Sequence, residues 1–194
     1  QHDLVIVGTR HFGTIRGLLL GSTGIKLLRK SPCAVWVTQP MANQEADSIL
    51  VAHDLRPVGD LAMELGCSMT KLQKAQLHVV HAAEYPEFDY LFPANVSTER
   101  KQAYRNEAEQ HIQSQLAVAD LPLPAQVHFV VEPPEAAIMH CIEQHSVDLV
   151  VMGTVGRTGI SGFITGNTAE RLLPHIGCSV LAVKPPHFVS PISP

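Results

Sequence analysis

Short apolar runs alternate with longer helical or polar stretches along this chain. DLVVMG (148–153) and CSVLAV (178–183) are continuous apolar runs, as parallel strands buried on both faces require. SILVAHDL (48–55), QLHVVHAA (76–83) and QVHFVV (126–131) read as three more strands. Between them, 59–74 places Leu61, Leu65, Met69 and Leu72 at helical spacing, and 98–116 reads as a polar, amphipathic helix. A further helix is predicted over 134–145, with Pro134 at its start, where a missing N–H costs nothing. Asn167 and Glu170 have the N-x-x-E spacing of a capping box and open a last helix through Arg171 and Leu173. Pro174 removes one backbone hydrogen bond there and should end that helix early. Alternation of this kind predicts an α/β fold, a doubly wound parallel five-stranded sheet with right-handed crossovers.

An internal repeat organises the chain. Residues 3–40 align without a gap on residues 148–185 at a constant offset of 145. Identical pairs include Asp3/Asp148, Gly8/Gly153, Thr9/Thr154, Gly21/Gly166, Thr23/Thr168, Cys33/Cys178 and Pro40/Pro185. Each copy reads strand, glycine-rich loop, helix, strand, but only the second has three strands before it. The expected organisation is therefore the C-terminal part of a first module (1–40), a linker (41–47), a complete second module (48–185) and a Pro-rich tail (186–194). The chain opens QHDLVIVG, without Met, basic n-region or apolar signal core, and reads as truncated at its N-terminus. A half-module exposes sheet edge, so strand 34–38 is expected to pair with 179–183 or with another chain.

Composition narrows the partners. Net charge is −4 with a pI near 6.2, and no Lys/Arg run exists to hold a nucleic-acid backbone. The longest apolar stretches are strand-sized, which argues against a membrane span. Cys33, Cys67, Cys141 and Cys178 lack CxxC spacing and read as buried or half-buried thiols of a cytoplasmic protein.

The loop after DLVVMG carries Gly153, Gly156 and Gly166, with Asn167 and Thr168 opening the next helix. Bare backbone N–H groups in such a loop can face an anion, and the helix N-terminus adds partial positive charge. Glycines that serve turn geometry alone would leave the same trace. GxxxxGK[ST] and GxGxxG are both absent, which disfavours a P-loop NTPase or a dinucleotide dehydrogenase.

The spacing G-x2-G-x9-G in GTVGRTGISGFITGNTAE resembles the ATP-binding signature of the universal stress protein family. ILVAHDL and LHVVHAAE are similar to that family's first two strands, and the likeness covers nearly the whole chain. Two modules in tandem, with YPEFD in the loop after QLHVVHAA and GTVGRTGIS…GNTAE near the end, resemble a tandem, E-type branch of the family. The resemblance implies an adenine nucleotide α-hydrolase-like sheet of strand order 3-2-1-4-5 and pairing of modules through the last strand, which holds Val180 and Leu181. That pairing would be internal to a tandem chain or would form a homodimer. It implies ATP, with or without Mg²⁺, as the ligand. Asp54, Ala82 and Met152 would lie by the nucleoside, and Gly153, Gly156, Gly166, Asn167 and Thr168 would hold the phosphates. Asn167 stands where the family pattern has Ser or Thr, so a hydroxyl contact is lost or falls to Thr168; an Asn amide can still donate to a phosphate. Ala82 is smaller than the family's usual Val, and His11 replaces the second glycine in the first copy.

Other constellations carry less. His140, Cys141 and His145 share a helix at spacings that give no common face. His78 and His81 point to opposite faces of a strand, and no tetrahedral metal set is visible. His53 beside Asp54 cannot pair directly for the same reason. Asp89, Tyr90 and Phe92 mark a loop that either packs its own aromatics on the domain or forms a lid or partner surface. Three functions stay open: an ATP-binding stress-response regulator without catalytic residues, a slow Mg²⁺-dependent ATPase, and a dimeric scaffold without nucleotide.

Overall fold

The computed structural model describes residues 3–9, 22–39, 45–83, 98–154, 167–185 and 188. The strands are β1 (Leu4–Gly8), β2 (Ala34–Thr38), β3 (Ser48–Ala52), β4 (Gln76–Ala82), β5 (Gln126–Val130), β6 (Leu149–Gly153) and β7 (Ser179–Val183). The helices are α1 (Ser22–Lys30), α2 (Pro57–Gln73), α3 (Thr98–Ala117), α4 (Pro134–His145) and α5 (Asn167–Leu172).

The sheet has seven strands in the order β1-β2-β7-β6-β3-β4-β5, which corrects the five-stranded expectation. Within it, β3 to β7 are mutually parallel and follow the 3-2-1-4-5 order when numbered among themselves. The sheet continues because β2 runs antiparallel to β7, with Val35 opposite Ala182, Trp36 opposite Leu181 and Val37 opposite Val180. An exposed β7 would have left a row of unpaired backbone groups. Leu181 is the residue that the repeat offset assigns to Trp36. A local pseudo-twofold axis therefore passes between these two residues.

Alternate strand residues feed two cores, one on each face. Leu50, Val80, Val150, Met152, Val180, Val35 and Val37 face α1, α4 and α5, meeting Leu28, Ile138 and Leu172. Ile49, Val51, Leu77, Val79, Val151 and Leu181 face α2 and α3, meeting Ala62, Met63, Cys67 and Ile112. At the starts of the central strands, the Asp148 carboxylate accepts from the backbone N–H groups of Asp47 (2.9 Å) and Ser48 (3.1 Å).

Three helix expectations shift. The buried stripe of α2 is Val58, Ala62, Met63, Gly66, Cys67 and Thr70, while Leu72 is 77% exposed. Small residues face the sheet because helix and strand pack closely there. In α3 only Ala108 and Ile112 are buried, so the amphipathic expectation overstated its apolar face. Helix α5 stops at Leu172, two residues before Pro174. The four cysteines are free, with Cys33 half-buried and the others buried. Among the described residues no helix is long and apolar enough to cross a membrane.

Candidate functional site

Parallel strands deliver their carboxyl ends to one edge of the sheet, where loops and helix N-termini converge. Here the ends of β3, β4 and β6 form the floor of a cleft of about 850 Å³. Ala52, Val80, Ala82 and Met152 make its apolar base. Helices α4 and α5 wall one side with Pro134, Ile138, Thr168 and Arg171, and α3 walls the other with Tyr104, Glu107 and His111.

Five of the residues singled out in the sequence line this cleft: Asp54, Ala82, Met152, Gly153 and Thr168. Asn167 opens α5 beside them. Gly156 and Gly166 lie outside the described residues, as do Asp89, Tyr90 and Phe92. The Asp54 carboxylate Oδ1 accepts from the Arg56 backbone N–H at 3.1 Å, which holds the exposed carboxylate at the cleft. Gly153 is required by a close approach, since a Cβ there would stand 2.9 Å from Val58 Cγ1 at the start of α2. Thr154 seals the strand end by donating its hydroxyl to the Val183 carbonyl at 3.0 Å.

A polar network that the sequence did not reveal stands at the rim. His53 is buried, and its Nδ1 accepts from the Leu55 N–H at 3.0 Å. Its Nε2 therefore carries the proton, 3.2 Å from Gln115 Oε1 and 3.3 Å from Asp60 Oδ1. The same Asp60 oxygen accepts from Gln115 Nε2 at 2.6 Å and from His111 Nε2 at 2.7 Å. Burial lowers the His53 pKa despite the nearby Asp60 charge. Burial alone would raise Asp60, but the hydrogen bonds from His111 and Gln115 outweigh it and hold the carboxyl below its usual range. His53 does pair with an aspartate, one turn into α2 rather than its chain neighbour Asp54. Only the strand parity of His53 was visible beforehand.

His81 is also buried, and its Nδ1 lies 2.8 Å from the His53 carbonyl, so Nδ1 donates. Its Nε2 then accepts from the Tyr104 hydroxyl at 3.1 Å, which ties α3 to the cleft floor.

The chemistry of the described residues lining the cleft fits an adenine nucleotide. A cleft of several hundred Å³ with an apolar base and a few convergent polar groups is typical of small-molecule sites. The apolar floor suits a base, Asp54 suits a ribose hydroxyl, and Arg56 and Arg171 suit phosphate, although Arg171 Nη1 also lies 3.4 Å from Glu135 Oε1. The N-termini of α2 and α4 add partial positive charge at the same edge.

The model of the universal stress protein family matches residues 1–39 and 45–184. A curated relative, Universal stress protein E of Salmonella typhi, is 30% identical over 99% of this chain and 64% of its own length. This chain thus spans just under two thirds of the curated relatives it matches. A crystal structure of a functionally unknown protein from Pseudomonas aeruginosa PAO1 is 28% identical, with a TM-score of 0.75 over 95% of this chain and 63% of that one. A universal stress protein in complex with cAMP shares the fold at 20% identity and a TM-score of 0.50, over 72% of this chain and 98% of that one.

Proposed function

Given that the chain belongs to the universal stress protein family, we propose that its cleft binds an adenine nucleotide, ATP first among them, and that the protein acts as a stress-response regulator. The observation that carries this reading is the convergence of Asp54, Ala82, Met152, Gly153 and Thr168 on one cleft at the carboxyl edge of the sheet. Asp54 takes a ribose hydroxyl, Ala82 and Met152 flank the base, and the phosphates run toward Gly153, Thr168 and Arg171. Gly156, Gly166 and Asn167 complete the phosphate loop in this proposal, and Mg²⁺ accompanies the phosphates. The cAMP held by a distant relative is itself an adenine nucleotide, which agrees with this assignment.

The organisation we propose is tandem: residues 1–40 close a first module, 48–185 form the second, and the protein works in the cytoplasm. Pairing of modules through their last strands is the means of regulation, within a longer tandem chain or in a homodimer. The repeat and the pseudo-twofold register of Trp36 and Leu181 support it.

Calorimetric titration with Mg-ATP tests the ligand assignment. Ala82→Trp, which fills the base end, and Asp54→Ala are each expected to weaken binding at least about tenfold, or about 1.4 kcal/mol. Absence of binding to the parent protein, with no nucleotide released on denaturation, would leave the scaffold reading. ATP turnover well above that of Asp54→Ala would turn the regulator into a slow ATPase.

A further inference from the structure

The opposite end of the sheet carries a second cluster. Strands β4 and β5 are parallel, with His78 opposite Gln126 and Val80 opposite His128. His78 and His128 therefore sit diagonally on one face, the face covered by α4. Helix α4 starts at the cleft with Pro134 and runs back along the sheet to end on His145. The His78 ring stacks on His128 and on His145, while His128 and His145 are tilted to each other by 31°. Ring centroids lie 5.5 Å apart for His78 and His128, 4.2 Å for His78 and His145, and 4.8 Å for His128 and His145.

We propose that His78, His128 and His145 form a binding site for a late first-row divalent metal ion, Zn²⁺ or a close analogue, with a fourth position open to water. One nitrogen from each ring lies within 4.8 Å of the others. Tetrahedral coordination at a metal–nitrogen distance near 2.0–2.1 Å sets nitrogens about 3.3 Å apart. His78 Nδ1 and His128 Nε2 are already at 3.2 Å. His145 is half-buried at the helix end, on the same side as the other two rings. The helix C-terminus that bears it presents partial negative charge, which favours a cation. Three imidazoles and no carboxylate select Zn²⁺, Co²⁺, Ni²⁺ or Cu²⁺ over Mg²⁺ or Ca²⁺. The ion would clasp edge strand β5 to β4 and α4, away from the nucleotide cleft and independent of it.

The second histidine group, His53, Asp60 and His111, has the same ligand count. Its chemistry differs: His53 Nδ1 is occupied by the Leu55 N–H, so Nε2 could bind a metal only as an imidazolate. Among the described residues that leaves the cluster at the β4–β5–α4 end as the candidate.

Tag-free protein stripped with a chelator should take up one equivalent of Co²⁺ or Zn²⁺ per chain, read by visible absorption and elemental analysis. His128→Gln and His145→Gln should each weaken binding at least about tenfold, and the double variant about a hundredfold. His111→Gln should bind as the parent does. Excess Zn²⁺ should raise the parent's Tm by about 5 °C and leave the double variant unmoved. Both substituted rings are half-buried, and circular dichroism reports whether the variants fold. The proposal is overturned if the parent binds none of these ions at about 100 μM. It is equally overturned if binding survives the double substitution or is lost in His111→Gln. Mg-ATP binding, whatever its outcome, is expected to be the same in His145→Gln and the parent.

Discussion

Gly66→Leu is expected to destabilise the fold by about 3 kcal/mol or more, read as a lower midpoint in urea unfolding. Gly66 lies on the buried stripe of α2, directly over the central strand β3. A Cβ at this position would stand 2.2 Å from Val51 Cγ2, far inside van der Waals contact. Val51 has little room to give way, because its β-branched side chain is fully buried in the core and its strand is paired on both sides. Gly66→Ala sharpens the point, since two effects oppose each other. Helix propensity alone favours alanine by about 1 kcal/mol, whereas overpacking costs about 1–3 kcal/mol. A contact this short makes the steric effect win, so Gly66→Ala should also be less stable than the parent. In a Val51→Ala background the same substitution should become neutral or stabilising, because the obstructing methyl is gone. A stabilising Gly66→Ala in the parent would show that α2 does not pack against β3 as described.

The same helix shows where sequence reading reached its limit. Leu61, Leu65 and Met69 are large and regularly spaced, so periodicity draws the core face through them, yet they only flank it. The face itself mixes Val58, Met63 and Cys67 with Ala62, Gly66 and Thr70, and the small volumes of the last three let the backbone approach the sheet and leave little apolar signal. Central strands were easy to find because burial on both faces leaves an unbroken aliphatic run, as in LVVMG. The repeat carried more than local pattern did: its offset relates Trp36 to Leu181, and those residues meet across the β2–β7 seam. The sheet's full width did not follow from either copy considered separately. The cleft floor was legible through Asp54, Ala82 and Met152, which sit at strand ends. Asp60 and His111 were not, since α2 and α3 bring them to His53 from separate segments. His78, His128 and His145 escaped for the same reason: spacing within one element says nothing about ligands drawn from three.

Lys184→Gln is expected to stabilise the protein by about 2 kcal/mol at pH 7, with the gain shrinking as pH rises toward 10. Lys184 follows β7 and is buried, with its Nζ donating to the Leu28 carbonyl and standing 4.7 Å from the centre of the Phe188 ring. A carbonyl and an aromatic face meet the ammonium only in part, and desolvation lowers its pKa to about 8. An unfolded lysine titrates near 10.4. Below about pH 8 both states are charged, and the folded state bears the whole desolvation cost. Between about 8 and 10.4 the unfolded chain keeps a proton that the folded one has released, so this group makes the parent more stable as pH rises. Glutamine removes the charge and keeps a donor. The chain already uses that solution: Gln39, the repeat counterpart of Lys184, donates its Nε2 to the Ile176 carbonyl at 3.3 Å. The two side chains thus reach across the pseudo-twofold seam in opposite directions, one charged and one neutral. Urea unfolding of both proteins at pH 7, 8.5 and 10 isolates the effect, because other alkaline titrations are common to the pair. A glutamine variant less stable than the parent at pH 7 would mean that the bond to Leu28 and the contact with Phe188 outweigh desolvation, and that Lys184 braces the seam through its charge.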